Sequence, residues 1–208
     1  MTAFSRISAI LFTLAALLAV APSALAQSGP AARYLKGQHD QVNRILARPA
    51  RTDQARTRRN ARVTHLLGAL LDYESLSQQA LGRHWEARSE EDRALFVSLL
   101  QQLVERSYQS SLEGTRDYRV RYGDEEQRRG ATVVHTTAQS RANRRAPAVA
   151  IDYRMRRQGR VWVVIDVITD GVSMVRNYRS QFARIIRRHE WDGLIERMQS
   201  RLREGSEI

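Results

Sequence analysis

Five histidines, at positions 39, 65, 84, 135 and 189, are the side chains best suited to acid–base work or metal ligation, and none stands in a recognisable ligand array. His189-Glu190 resembles the start of a zincin motif, but Gly193 occupies the position where a second histidine must lie to share the helix face. Gly171-Val172-Ser173 resembles a nucleophile elbow, yet Val175 stands where the strained turn needs its second glycine. No glycine-rich phosphate loop is present, nor a close pair of carboxylates placed for acid–base chemistry. His84 beside Trp85 reads as a packed or exposed histidine near a helix start. The chain is not expected to be an enzyme or to hold a metal or cofactor. Its chemistry is concentrated instead in apolar stripes and in arginine.

Of 208 residues, 34 are Lys or Arg against 22 Asp or Glu, and all the basic residues but Lys36 are arginine, giving a net charge of +12. With 42% apolar residues the chain can build a core, which excludes a disordered basic tail. The absence of cysteine removes disulfide scaffolds, thiol nucleophiles, thiolate metal sites and lipid attachment to an N-terminal cysteine. Codon bias accounts for the arginine-to-lysine ratio as readily as function does.

The first 26 residues read as an export signal. Arg6 precedes an uncharged run from Ile7 to Val20, too short to span a bilayer, and Ala24-Leu25-Ala26 offers a cleavage site after Ala26. The remaining residues 27–208 are expected to form one domain with 33 basic and 22 acidic residues, a net +11. Export out of the cytoplasm makes nucleic acid an unexpected partner and favours anionic head groups, with transient membrane-surface contact, or envelope proteins.

The elements that must carry any site follow from periodicity. Leu35, Val42, Ile45 and Leu46 mark a short helix ended by Pro49, and Val63, Leu66, Leu67, Leu70 and Leu71 mark a second. Before the second lies an arginine-rich stretch, 51–62, which reads as a solvated helix face or a docking patch. A short helix over 73–81 stops at Gly82. Ser89 and Asp92 then form a capping-box-like start to a long helix whose stripe runs Leu95, Phe96, Leu99, Leu100, Leu103, Val104, Tyr108, Leu112. The period next switches to two. Tyr118–Tyr122, Ala131–Ala138, Val149–Met155 and Val161–Ile168 read as four antiparallel strands, with an acidic-basic loop between Gly123 and Gly130. A helix from about Val172 to Ile186 and another over 191–203 complete the chain. The expectation is an α+β fold: an about four-stranded curved antiparallel sheet covered by helices from both ends of the chain, enclosing an apolar pocket.

The C-terminal half carries a specific resemblance. The runs Trp162-Val163-Val164-Ile165-Asp166-Val167, Asp170-Gly171-Val172-Ser173-Met174-Val175, Asn177-Tyr178-Arg179-Ser180-Gln181-Phe182 and Asp192-Gly193-Leu194-Ile195 resemble the MlaC family of periplasmic phospholipid-binding proteins, also called toluene-tolerance auxiliary proteins. Asp72-Tyr73, Ala80-Leu81-Gly82-Arg83-His84-Trp85 and Ser89-Glu90-Glu91-Asp92-Arg93 agree with it, so the similarity spans roughly 62–202. Asp170 stands where glutamate is expected, and the basic 51–62 stretch is no part of the family pattern.

The resemblance implies a carrier without catalytic residues that holds a phospholipid between sheet and helices. It would exchange that lipid with an inner-membrane ABC transporter complex and an outer-membrane lipoprotein-porin complex, maintaining outer-membrane lipid asymmetry. It further implies that Val172, Met174 and Val175 border the cavity. Pattern adds Leu95, Phe96, Leu99, Leu103, Tyr108, Ile151, Tyr153, Tyr178 and Phe182 to the wall. Three other readings stay open: a carrier of another apolar lipid such as a hopanoid; an enzyme on a similar cone-shaped α+β scaffold, which needs a convergent polar cluster in the cavity; and a nucleic-acid or purely electrostatic binder, which rests on the arginines alone and predicts steep salt dependence with no bound lipid.

Overall fold

A computed structural model describes the backbone of residues 29–115 and 117–204, and their side chains except those of 110–115. The expected signal, 1–26, and the Leu112 side chain lie outside the described residues. Helices α1 (Pro30–Leu46), α2 (Asp53–Leu70), α3 (Tyr73–Leu81) and α4 (Glu90–Thr115) precede a sheet of β1 (Tyr118–Arg128), β2 (Ala131–Ser140), β3 (Val149–Gln158), β4 (Val161–Thr169) and β5 (Val172–Ser173); α5 (Met174–Glu204) follows. The strands lie in chain order and every pair is antiparallel. The fold is α+β, with five strands where the sequence reading has about four.

The differences from that reading have local causes. Residues 124–128 continue β1 rather than forming a loop: a bulge between Tyr122 and Glu125 absorbs the break in alternation, and the turn falls at Arg129-Gly130, both at positive φ. The extra strand β5 exists because Asp170-Gly171 reverses the chain tightly enough for Val172 and Ser173 to pair back onto β4. A second bulge, between Arg154 and Met155, shifts the register of β3 against β4.

Helix ends follow their sequence signals. The hydroxyl of Thr52 accepts the Ala55 N–H at 3.2 Å, the Asp72 carboxylate accepts the Ser75 N–H at 2.9 Å, and the Ser89 hydroxyl accepts the Asp92 N–H at 3.1 Å. α5 is kinked at Glu190 (φ 59°, ψ −167°), which divides it where the sequence separates two helices.

Two apolar bodies result. One lies among α3, α4 and α5, where Phe96 meets Phe182 edge-on at 5.4 Å and Phe182 stacks on Tyr178 at 5.6 Å. The other lies between the helices α1 and α2 and one face of the sheet, where Ala31, Ala32 and Leu35 of α1 and Leu70 of α2 pack with Val134, Met155 and Val164. The two alanines let the α1 backbone approach the sheet closely. At α1's start the Ala32 N–H donates to Glu125 Oε2 at 2.9 Å, a carboxylate at the positive end of the helix. A Cβ on Gly29 would stand 1.9 Å from the Glu125 carboxyl carbon, so a larger residue there must displace the Glu125 side chain. A smaller cluster of Val42, Leu46 and Val63 joins α1 to α2.

Candidate functional site

The site begins with the register of the sheet. Pairing sets Tyr122, Thr136 and Ile151 in one cross-strand row and Val134, Tyr153 and Val167 in the next, so their side chains share the face that α1 covers. Ile151 and Tyr153, both expected wall residues, therefore lie side by side on β3. Tyr122 joins them from β1.

From α1, Leu35 and His39 face this surface, and the same stripe continues through Val42 and Leu46 onto Val63 of α2. A hydrogen bond joins the Tyr122 hydroxyl to His39 Nδ1, and the imidazole meets the Tyr153 ring edge-on at 5.7 Å. Burial holds the His39 pKa below its ordinary value, against the opposing charge of Asp40, which Lys36 engages at 2.6 Å. Burial also raises the Tyr122 phenol, and pushes Tyr153 up to about 12 with Tyr108 adding to the shift. Tyr108 reaches this point from α4 and packs on the Val42–Leu46–Val63 cluster.

At neutral pH the cluster is thus an uncharged imidazole among protonated phenols, capable of donating and accepting hydrogen bonds but carrying no net charge. Such a set fits the ester and glycerol oxygens of an amphiphile within an apolar surround. Protonated phenols do not act as bases. Among the described residues no group of three or more His, Asp or Glu could hold a metal ion, and no helix is long and apolar enough to cross a membrane.

The expected wall residues do not all meet. Phe96, Leu99, Leu103, Val175, Tyr178 and Phe182 belong to the body among the helices. Tyr153 packs at the α1–sheet interface and Tyr108 on the neighbouring α1–α2 cluster, while Ile151, two residues from Tyr153 on β3, and Met174, at the start of α5, are half-buried. Leu95 and Val172 point outward, 40% and 62% exposed, because α4's apolar stripe turns past Leu95 and β5 is an edge strand. In this conformation a Val172 side chain meets solvent rather than an apolar wall.

His39 and Tyr122 were absent from the expected site. For His39 the signal was available, since it falls four residues after Leu35 and three before Val42. Tyr122 needed the strand register, because the two residues are 83 apart in sequence.

The motif around Gly171 has a structural role. Asp166, 3% exposed on β4, accepts the Ser173 hydroxyl at 2.6 Å and the Val175 N–H at 3.1 Å, while Ser173 Oγ accepts the Arg176 N–H at 3.1 Å. These bonds cap α5 and lock it to β4. At the opposite end Asp72 N–H donates to the Val164 carbonyl at 3.0 Å and Arg156 to the Asp72 carboxylate at 2.5 Å, which pins the α2–α3 joint to the sheet.

The sequence profile of the MlaC protein family matches residues 36–200, from within α1 to near the end of α5. The chain belongs to the MlaC family. Among solved structures, a phospholipid-binding protein from Ralstonia solanacearum, determined in complex with a phospholipid, is similar with a TM-score of 0.69 at 23% identity, over 85% of this chain and 99% of that one. At that identity the likeness establishes a shared fold. No curated protein matches. The matched region of this MlaC-family protein contains every element that builds the Tyr122–Tyr153–His39 cluster. It leaves out the first six residues of α1, 30–35, which include Ala31, Ala32 and Leu35.

Proposed function

We propose that this protein is a periplasmic phospholipid carrier that takes up a lipid between α1 and the sheet and passes it between inner- and outer-membrane complexes. The observation that carries the reading is the separation of two apolar bodies. The α3–α5 body is a packed core in its own right, whereas the sheet's tyrosine-lined face is covered by α1 through Ala31, Ala32 and Leu35, with Leu70 at the end of α2 beside them. That face supplies apolar surface together with hydrogen-bonding groups, the combination an acyl chain and its glycerol ester require. MlaC-family membership and the fold shared with a phospholipid-bound protein support the same reading.

Magnitude explains the need for such a carrier. Two acyl chains with about 30 methylenes cost on the order of 24 kcal/mol to expose to water. Unassisted transfer across an aqueous gap is negligible on that scale. The site must match a bilayer closely rather than exceed it, or the cargo is never released. A rigid empty apolar cavity of roughly 300–1,000 Å³ costs about 7–24 kcal/mol, so the lipid-free protein closes on itself. α1, which packs on that face through small side chains, is a suitable closing element.

In this scheme the membrane partners are an ABC transporter complex on one side and a lipoprotein-porin complex on the other, and the traffic maintains outer-membrane lipid asymmetry. The export-signal pattern of residues 1–26 supports the compartment. Native mass spectrometry of protein taken directly from the producing cell is the test. Phospholipid adducts and a mature chain beginning at Gln27 are expected; a folded and wholly lipid-free protein would overturn the proposal.

A further inference from the structure

Between positions 44 and 62 the chain has seven arginines and one acid, Asp53, a local charge of +6. Half of the net +12 is therefore carried by 19 of 208 residues. A composition bias that substitutes arginine for lysine does not clear a stretch of acids, and Asp53 is itself engaged by Arg56. The folded chain gathers this charge at one place, where α1 ends, the 47–52 link turns, and α2 begins.

There Arg48 from the link and Arg58, Arg59 and Arg62 from α2 line a cleft of about 240 Å³ with a floor of Ile45, Pro49, Ala50 and Ala55. Ala55, Arg58 and Arg62 share a helix face, at i, i+3 and i+7, so the arginines approach the cleft from two sides of the bend. A second cleft of about 410 Å³ continues along α1 and α2, sharing Ile45 and Arg62 and adding Leu66 and His65. Ile45 and Leu66 pack on the same cluster as Tyr108, which neighbours Tyr153.

We propose that this arginine-rimmed groove docks the protein on bilayers containing anionic phospholipid, with lipid phosphates held by Arg48, Arg58 and Arg62. Guanidinium forks match phosphate oxygens in paired hydrogen bonds, and the small apolar floor suits the glycerol and first methylenes beside a phosphate. The occupant is a lipid surface rather than an acidic protein because the patch combines repeated cationic forks with a shallow apolar floor, and an array of phosphates presents the complementary charge. The inference rests on the carrier reading for its purpose: docking by this end holds the α1–α2 corner, and the cluster behind it, against the membrane from which lipid is drawn.

The test is flotation of the purified protein with vesicles of phosphatidylcholine alone or mixed with phosphatidylglycerol. Binding to the mixed vesicles only, weakening as salt is raised, is expected. Replacing Arg48, Arg58 and Arg62 together by Gln should lower affinity for the mixed vesicles on the order of 100-fold, each arginine contributing roughly fivefold. A charge-matched variant with Arg141, Arg144 and Arg145, on the exposed β2–β3 connection, changed to Gln should bind nearly as the native chain does. Absence of binding to the mixed vesicles, or equal losses in both triple variants, overturns the docking site. Lipid retained by native mass spectrometry in the cleft variant keeps the carrier reading separate: native protein without lipid defeats that reading, and only the vesicle result decides this one.

Discussion

His39 on α1 and Tyr122 on β1, 83 residues apart in sequence, are joined by a hydrogen bond beneath the helix that covers the sheet. The bond ties a covering element to the surface it covers, and it holds the imidazole in a buried position. Burial lowers the His39 pKa, so as pH falls through about 6.5 the unfolded chain takes up a proton before the folded one does. This contribution to stability is intact above that range and is lost progressively below it. His39→Gln is therefore expected to lower stability at pH 7.5 yet to show a shallower decline between pH 7 and pH 5. Urea denaturation at several pH values, read as the difference between the two proteins, removes the parallel effect of the other histidines. Equal pH slopes in the two would show that His39 does not titrate on unfolding.

The buried Asp166 makes a second prediction. Its carboxylate accepts the Ser173 hydroxyl and the Val175 N–H, and Asp166→Asn offers only one oxygen while turning an amide N–H₂ toward a donor. A loss of about 1–3 kcal/mol is expected, lowering Tm by roughly 2–4 °C per kcal/mol. Ser173→Ala should cost less. The double variant should lose less than the sum, because the two side chains share a bond. Additive losses in chemical denaturation would mean that the capping network is not cooperative.

These two relationships show what was legible in the sequence and what was not. The α+β class, the order of elements and the family were readable, since period 3.6 gives way to period 2 at Tyr118 and the run from Trp162 to Phe182 is specific. The cap at Asp166 was hidden, because a carboxylate within an apolar strand pattern gives no sign of a helix N-terminus folding back onto it. Periodicity identified Leu95, Phe96, Leu99 and Leu103 as one stripe, but a stripe has an edge, and Leu95 lies on the solvent side of it. The gathering of Tyr108, Tyr122 and Tyr153 required the β1 bulge and two hairpin registers, all set by tertiary pairing.

Exposure decides a third prediction. A carboxylate at Val172, which is 62% exposed, stays hydrated, so Val172→Glu should leave both stability and lipid occupancy close to native. Ile151→Glu places the same charge on the sheet face that carries Tyr153, at a half-buried position where it loses part of its hydration. Native mass spectrometry should then show lipid lost from the Ile151 variant alone, with circular dichroism confirming that it remains folded. The reverse ranking would move the site from the α1–sheet interface to the β5 edge.

Gly193 offers a test in which the sign is informative. Replacing a helical glycine by alanine ordinarily stabilises a helix by about 1 kcal/mol. Here the kink at Glu190 brings His189 against Gly193, and an added Cβ would lie 2.4 Å from the His189 Cβ. A Cβ cannot rotate away as the end of a long side chain can, so the backbone must shift. Gly193→Ala should destabilise by roughly 1–3 kcal/mol in thermal or urea unfolding. Adding His189→Ala keeps the offending Cβ and should restore nothing, whereas adding His189→Gly removes it and should recover most of the steric loss. Rescue by both would point to the imidazole instead, and to a clash with a movable group rather than with the kinked backbone.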